Sequence, residues 1–165
     1  MLALRRWTRR IRSLPPPIRD AMLAVTGRLD LKPFGPATHD LGVPNRSLYV
    51  QTARWDRSNF ATLFDAAVEK RDVSTVAPQA LFLLNHDFVL ARAKHLADRA
   101  TRDEPRDDVA RIQRLFRLAF ARAASEDEVK VARTLLAAPR KGGADLAWRD
   151  LAHVLLLSNE FIYLD

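Results

Sequence analysis

The 165-residue chain contains no cysteine. Disulfides, thiolate catalysis, Cys-based zinc sites, iron–sulfur clusters and a C-x-x-C-H haem attachment are therefore excluded together. Glycine is scarce, at 5 residues, and neither a glycine-rich phosphate loop nor a G-x-S-x-G nucleophile turn occurs. No apolar run approaches the roughly 18 residues needed to cross a bilayer. The opening "MLALRRWTRRIRSLPPP" has Arg pairs but lacks the apolar segment of about 7–15 residues that an export signal requires, so no signal peptide is read. The compartment is not written in the sequence. The four histidines, His39, His86, His95 and His153, form neither H-x-x-x-H nor H-E-x-x-H, and a metal site would need carboxylates converging from distant segments.

What is present favours helix. Hydrophobic residues make up 48% and charged residues 28%, the balance of a globular chain, and Leu, Ala and Arg outnumber the β-branched residues. One helical domain is expected over 18–165: an all-α, orthogonal or bundle-like array of about six helices. A short strand pair near 46–52 is the one β feature that the alternation there allows. The net charge is +7, but its placement matters more than its size. Residues 1–17 hold Arg5, Arg6, Arg9, Arg10 and Arg12 and no acid, which leaves +2 for the rest. Leu4, Trp7, Ile11 and Leu14 fall on one face of this basic amphipathic arm, which the triple proline 15–17 ends.

Periodicity then marks the elements. Ile18, Met22, Val25 and Leu29 recur at helical spacing, with Gly27 able to cap. Residues 31–45 hold three Pro and two Gly and read as a loop. A short helix is expected at 59–67. Leu81, Leu84, Phe88, Ala91 and His95 form an apolar stripe that passes through the polar triplet Asn85-His86-Asp87 and leaves it off the stripe. Val109, Ile112, Phe116, Ala119 and Phe120 are expected to face inward on the next helix. Ser125 and Glu128 match the S-x-x-E capping box, so a further helix starts there. The last helix puts Leu151, Leu155 and Ser158 on one face. "LNHDFVL" (84–90) and "LSNEFIY" (157–163) echo each other, each with an acid before a Phe, and the echo is read as coincidence unless the two helices are neighbours.

The blocks "IRDAMLAVTGRLD", "NRSLYV", "FDAA", "STVAPQALFLLNHDFV", "LFRLAFARAASEDEV" and "LLLSNEFIYLD" occur in an order and spacing that resemble the planctomycete domain of unknown function 1553 family. The resemblance runs over about residues 18–165 and departs in the arm 1–17 and at "RAAS" (122–125), where the family usually has a Pro before the capping residue. It implies the C-terminal helical module of large proteins that often also carry a cytochrome-c-like domain. It also implies export of those relatives, and it leaves open whether the chain is a complete protein or a severed C-terminal fragment. It transfers no catalytic residue, and no cofactor is expected.

The preferred function is accordingly non-catalytic, with catalytic, cofactor and metal residues all read as none. The module would pack on another protein chain or on the remainder of a larger protein. Trp7, Arg46, Tyr49, Arg54 and Trp55 are the expected contacts, because Trp, Tyr and Arg are the usual anchors at interfaces. Two alternatives stand beside this. In one, the chain is an accessory part of an exported enzyme acting on polysaccharide, with Asn85, His86, Asp87 and Glu160 as the polar cluster to inspect. In the other, the basic arm binds nucleic acid, against which the near-neutral body argues. Contact of residues 1–17 with a membrane surface is a further expectation.

Overall fold

The computed structural model describes residues 17–32, 38–50, 76–139 and 143–162. The arm with Trp7, the helix expected at 59–67, and Arg54 and Trp55 lie outside the described residues. Seven α-helices occur among them: α1 (Pro17–Val25), α2 (Val76–Asn85), α3 (Asp87–Asp103), α4 (Asp108–Phe120), α5 (Glu126–Ala137), α6 (Gly143–Leu157) and α7 (Asn159–Ile162). The fold is all-α, with no strand in this part, and the helices of the second of its two units pack in a bundle-like array. Where a strand pair was allowed near 46–52, residues Ser47–Tyr49 form a 3₁₀ turn. Among the described residues, which end at Val50 here, only isolated parallel bridges flank it, Asp30 with Asn45 and Thr38 with Val50. The chain divides into two compact units, at Val89 and Leu90 within α3.

In the first unit, α1 follows Pro17, a residue whose fixed φ suits a first helical position. It ends in a Schellman motif. Gly27 sits at φ +70°, and the Arg28 and Gly27 N–H groups donate to Leu23 and Ala24 carbonyls at 2.8 and 3.0 Å. In α1 the most deeply buried residues are Arg19, Met22 and Leu23, with Thr26 just past its end; Met22 and Val25 are buried as the spacing predicts, Ile18 is half-buried, and Leu29 lies beyond the helix.

The stripe expected through 81–95 is corrected. Leu81 and Leu84 are exposed, while Phe82 and Leu83 are buried, as are Phe88 and Val89. The reason is a break at His86: α2 ends at Asn85 and α3 begins at Asp87. A helical period cannot be carried across a residue that resets the helix phase. From Phe88 onward the inward face of α3 is Phe88, Val89, Arg92, Ala93, Leu96, Ala97 and Ala100.

In the second unit, α4, α5, α6 and α7 pack on one another. On α4 the buried residues are Arg111, Ile112, Leu115, Phe116 and Ala119. Val109, expected inside, is exposed, because it lies in the first turn, where the Asp107 side chain accepts its N–H at 2.8 Å. The Ser125–Glu128 capping box forms with both hydrogen bonds and opens α5. Ala119, Ala132, Ala147 and Ala152 are buried, so small side chains mark the inward faces of α4, α5 and α6. Leu151 and Leu155 of α6 are buried as expected, and Ser158 lies between α6 and α7.

Candidate functional site

The most elaborate polar construction in the first unit is built on Arg19, whose side chain is 1% exposed. Its position follows from phase: it is one turn before Met22 and Leu23, so the α1 face that is buried carries it inward. There its planar fork meets the loop that the Pro and Gly content predicts. Nε donates to the Leu41 carbonyl at 3.0 Å, Nη2 to Val43 at 2.6 Å and Nη1 to Asn45 at 2.7 Å. Asp20 completes the lock. Its Oδ1 accepts from the Ser47 N–H and hydroxyl, both at 2.7 Å, and lies 3.4 Å from Arg19 Nη1. The guanidinium also sits 5.9 Å from the Phe88 ring centroid. Buried carbonyls need partners, and five donors in a fixed plane supply several at once.

What this lock holds is an outward-facing strip. The Asp30 N–H donates to the Pro44 carbonyl at 2.7 Å, and Asp30 pairs with Asn45. Asn45 points inward and is 1% exposed. Alternation therefore turns the next residues, Leu31 and Arg46, outward. Leu31 and Leu48 are each 61% exposed, Arg46 is exposed, and Tyr49 is half-buried. Tyr49 is held through its backbone, donating to the Arg46 carbonyl at 3.0 Å and accepting from Thr38 at 3.1 Å. Arg46 and Tyr49 were singled out from the sequence. Leu31, Leu48 and the Arg19 lock were not, although the Met22–Leu23 phase was a usable signal for Arg19.

The polar triplet forms the joint between α2 and α3. Asn85 and Asp87 are exposed and His86 is half-buried. Asn85 Nδ2 donates to the Leu81 carbonyl at 3.0 Å. His86 stacks on Phe82 with ring centroids 4.1 Å apart, and its Nδ1 accepts the Phe88 N–H at 3.1 Å. The imidazole thus caps α3, and Asp87 adds favourable charge at its N-terminus. The echo in the second unit has a similar anatomy. The Ser158 hydroxyl accepts the Phe161 N–H at 3.3 Å, Glu160 lies in the first turn, and Phe161 is buried like Phe88. Both stretches are helix joints ahead of a buried Phe. His86→Ala is expected to lower stability by about 1 kcal/mol and His86→Asn to recover most of it; chemical denaturation of the two variants measures this.

Glu160 belongs to an ionic clamp centred on Arg122. Nε and Nη2 donate to the two Glu160 oxygens, each at 2.7 Å. Nη1 and Nη2 donate to Glu128 at 2.8 and 2.6 Å, and Nη1 to the Ala123 carbonyl at 3.0 Å. The guanidinium lies 5.5 Å from both the Phe116 and Phe120 rings. Its pKa is raised above the ordinary value, first by the hydrogen bond to Glu128 and then by that to Glu160. The Glu128 carboxyl is held down to about 2, chiefly by the Arg122 hydrogen bond working against desolvation, with the Ser125 N–H helping. A depressed carboxylate stabilises the fold above its unfolded value of 4.5 and loses that contribution as pH falls toward about 2. Acid titration of the unfolding free energy will show a loss in that window. It is absent in Glu128→Gln and limited to about 1 kcal/mol, because Arg122 is 39% exposed and solvent screens the pair.

A third arginine, Arg111, is also engaged internally. It donates to the Glu104 and Pro105 carbonyls at 3.0 Å each and lies 4.5 Å from the Trp148 ring centroid. Among the described residues no group of three His, Asp or Glu side chains is placed to hold a metal ion, and no helix is long and apolar enough to cross a membrane. Asn85, His86 and Asp87 lie in the first unit and Glu160 in the second.

A model of the family described as "Protein of unknown function (DUF1553)", PSD1, matches residues 3–136. The match takes in most of the basic arm and stops ahead of α6, whereas the resemblance read from the sequence blocks runs over about 18–165. No curated protein and no solved structure matches the chain.

Proposed function

The chain belongs to the DUF1553 family, and from that membership we propose that it is a non-catalytic interaction module that docks on another protein chain or on the remainder of a larger protein. One observation carries this reading. A buried arginine and its neighbouring aspartate fix the segment 41–47, which carries exposed Arg46 and leads into Leu48, while the Asp30 N–H to Pro44 carbonyl bond ties the stretch before Leu31 to it; both leucines are 61% exposed. Ordering a loop costs roughly 1–2 kcal/mol per residue in backbone entropy. Rigidity in a loop that exposes leucines lowers the further ordering cost of binding. The residues identified from the sequence as candidate chemistry support the same reading. The His86 imidazole nitrogen is engaged in capping and Glu160 is engaged by Arg122. Arg19, Arg111 and Arg122 all have internal partners, which weakens the case for a phosphate-binding surface in the body.

The test is a paired affinity capture from the source cell, using the wild-type chain and the Leu31→Asp/Leu48→Asp variant, quantified by mass spectrometry. The proposal expects a discrete protein retained by the wild type and lost by the variant, with both chains equally helical by circular dichroism. Recovery of the same proteins by both chains would contradict it.

A further inference from the structure

Given that docking role, on which this inference rests, we propose that the strip around Leu31 and Leu48 takes an acidic peptide segment with interspersed aliphatic side chains. The argument is charge complementarity. Arg28, Lys32 and Arg46 are all exposed, and Arg28 and Lys32 flank Leu31 in sequence, while Arg46 shares its outward face through the Asp30–Asn45 pairing. None of the three cations forms an ion pair among the described residues. The nearest acid in sequence, Asp30, is half-buried, and its Oδ1 already accepts the Lys32 N–H at 2.9 Å. Asp40, the other acid of this loop region, is turned to its own backbone, accepting the Gly42 N–H at 2.7 Å.

The strip therefore offers two apolar contacts and three cations without an ion pair among the described residues, against the two anions Asp30 and Asp40, so its charge is positive on balance. Arginine and lysine at the rim of an apolar patch select partners of opposite charge and repel basic ones. A protein segment is favoured over a lipid surface because the two leucines stand on separate short stretches, Leu31 after the bridge residue Asp30 and Leu48 in the 3₁₀ turn. A membrane-surface helix instead presents a long continuous apolar face.

The experiment uses the full chain and a short synthetic peptide that alternates glutamate and leucine, with a lysine–leucine peptide as control, followed by fluorescence anisotropy. The glutamate peptide is expected to bind, more weakly at high salt, and the lysine peptide not to bind. Arg46→Glu and Lys32→Glu should each weaken binding about tenfold, and Leu48→Ser likewise, with circular dichroism unchanged. Equal binding of both peptides, or binding indifferent to Arg46→Glu and Lys32→Glu, would overturn the inference. So would binding of phosphatidylserine vesicles or duplex DNA through these residues when the glutamate peptide fails to bind. Failure of the peptide while Leu31→Asp/Leu48→Asp still loses its captured protein would overturn the acidic chemistry alone. If that double variant loses nothing, the docking role falls as well.

Discussion

Replacing Arg19 with alanine is expected to cost about 3–5 kcal/mol, the range seen when one member of a buried charged network is removed. The value follows from what remains. Leu41, Val43 and Asn45 keep their carbonyls but lose their donor, and Asp20 keeps a mostly buried carboxylate without its neighbouring cation. Arg19→Lys is expected to recover little, because an ammonium on a flexible stem cannot reach three carbonyls lying in one fork. Urea denaturation monitored by circular dichroism measures the loss. Hydrogen exchange should show opening confined to the first unit, with residues 38–50 affected most. An Arg19→Lys variant as stable as wild type would show that charge, not geometry, holds the loop.

Phe161→Ala is expected to cost about 3 kcal/mol, at the lower end of the range for truncating a buried aromatic. Phe161 is 2% exposed and lies in the short helix α7, which packs on α4 and α6. The Arg122 clamp holds the same helix through Glu160, but at a partly exposed site. Removing it with Glu160→Gln is therefore expected to cost well under half as much. Denaturation of both single variants and of the double variant tests this. The two losses are expected to depart from additivity, because both act on the placement of one four-residue helix. A Glu160→Gln effect larger than that of Phe161→Ala would mean that the ion pair, not burial, anchors α7.

The sequence was most readable where a local rule acts alone. Ser125 and Glu128 specify a capping box from four residues, and the box is present. Gly27 ends α1 as its backbone freedom allows. Leucine, alanine and arginine content led correctly to an all-α fold. Legibility failed where periodicity had to be carried across a break. The phase running through Leu81 and Leu84 was extrapolated over His86, and those two leucines are exposed. Nothing in hydropathy alone marks a histidine as a helix cap.

The candidate site was legible only in part, for a related reason. Arg46 and Tyr49 stand out as residue types common at interfaces. Leu48 does not, because only tertiary structure distinguishes an exposed leucine from a core one. Arg19 was hidden by its charge, which suggests solvent, although its helical phase points inward. The blocks on which the family resemblance rests gain a physical account here. "IRDAMLAVTGRLD" and "NRSLYV" are joined by Arg19 and Asp20 to Asn45 and Ser47. "LFRLAFARAASEDEV" and "LLLSNEFIYLD" are joined by Arg122 to Glu160.

Site-specific photocrosslinking from position 48 in the source cell tests the docking claim most directly, with the same probe at Lys130, exposed on α5, as the control. The account predicts a discrete protein adduct from position 48 and only background from position 130. Equal, diffuse labelling from both positions would show that the locked loop faces solvent and meets no partner.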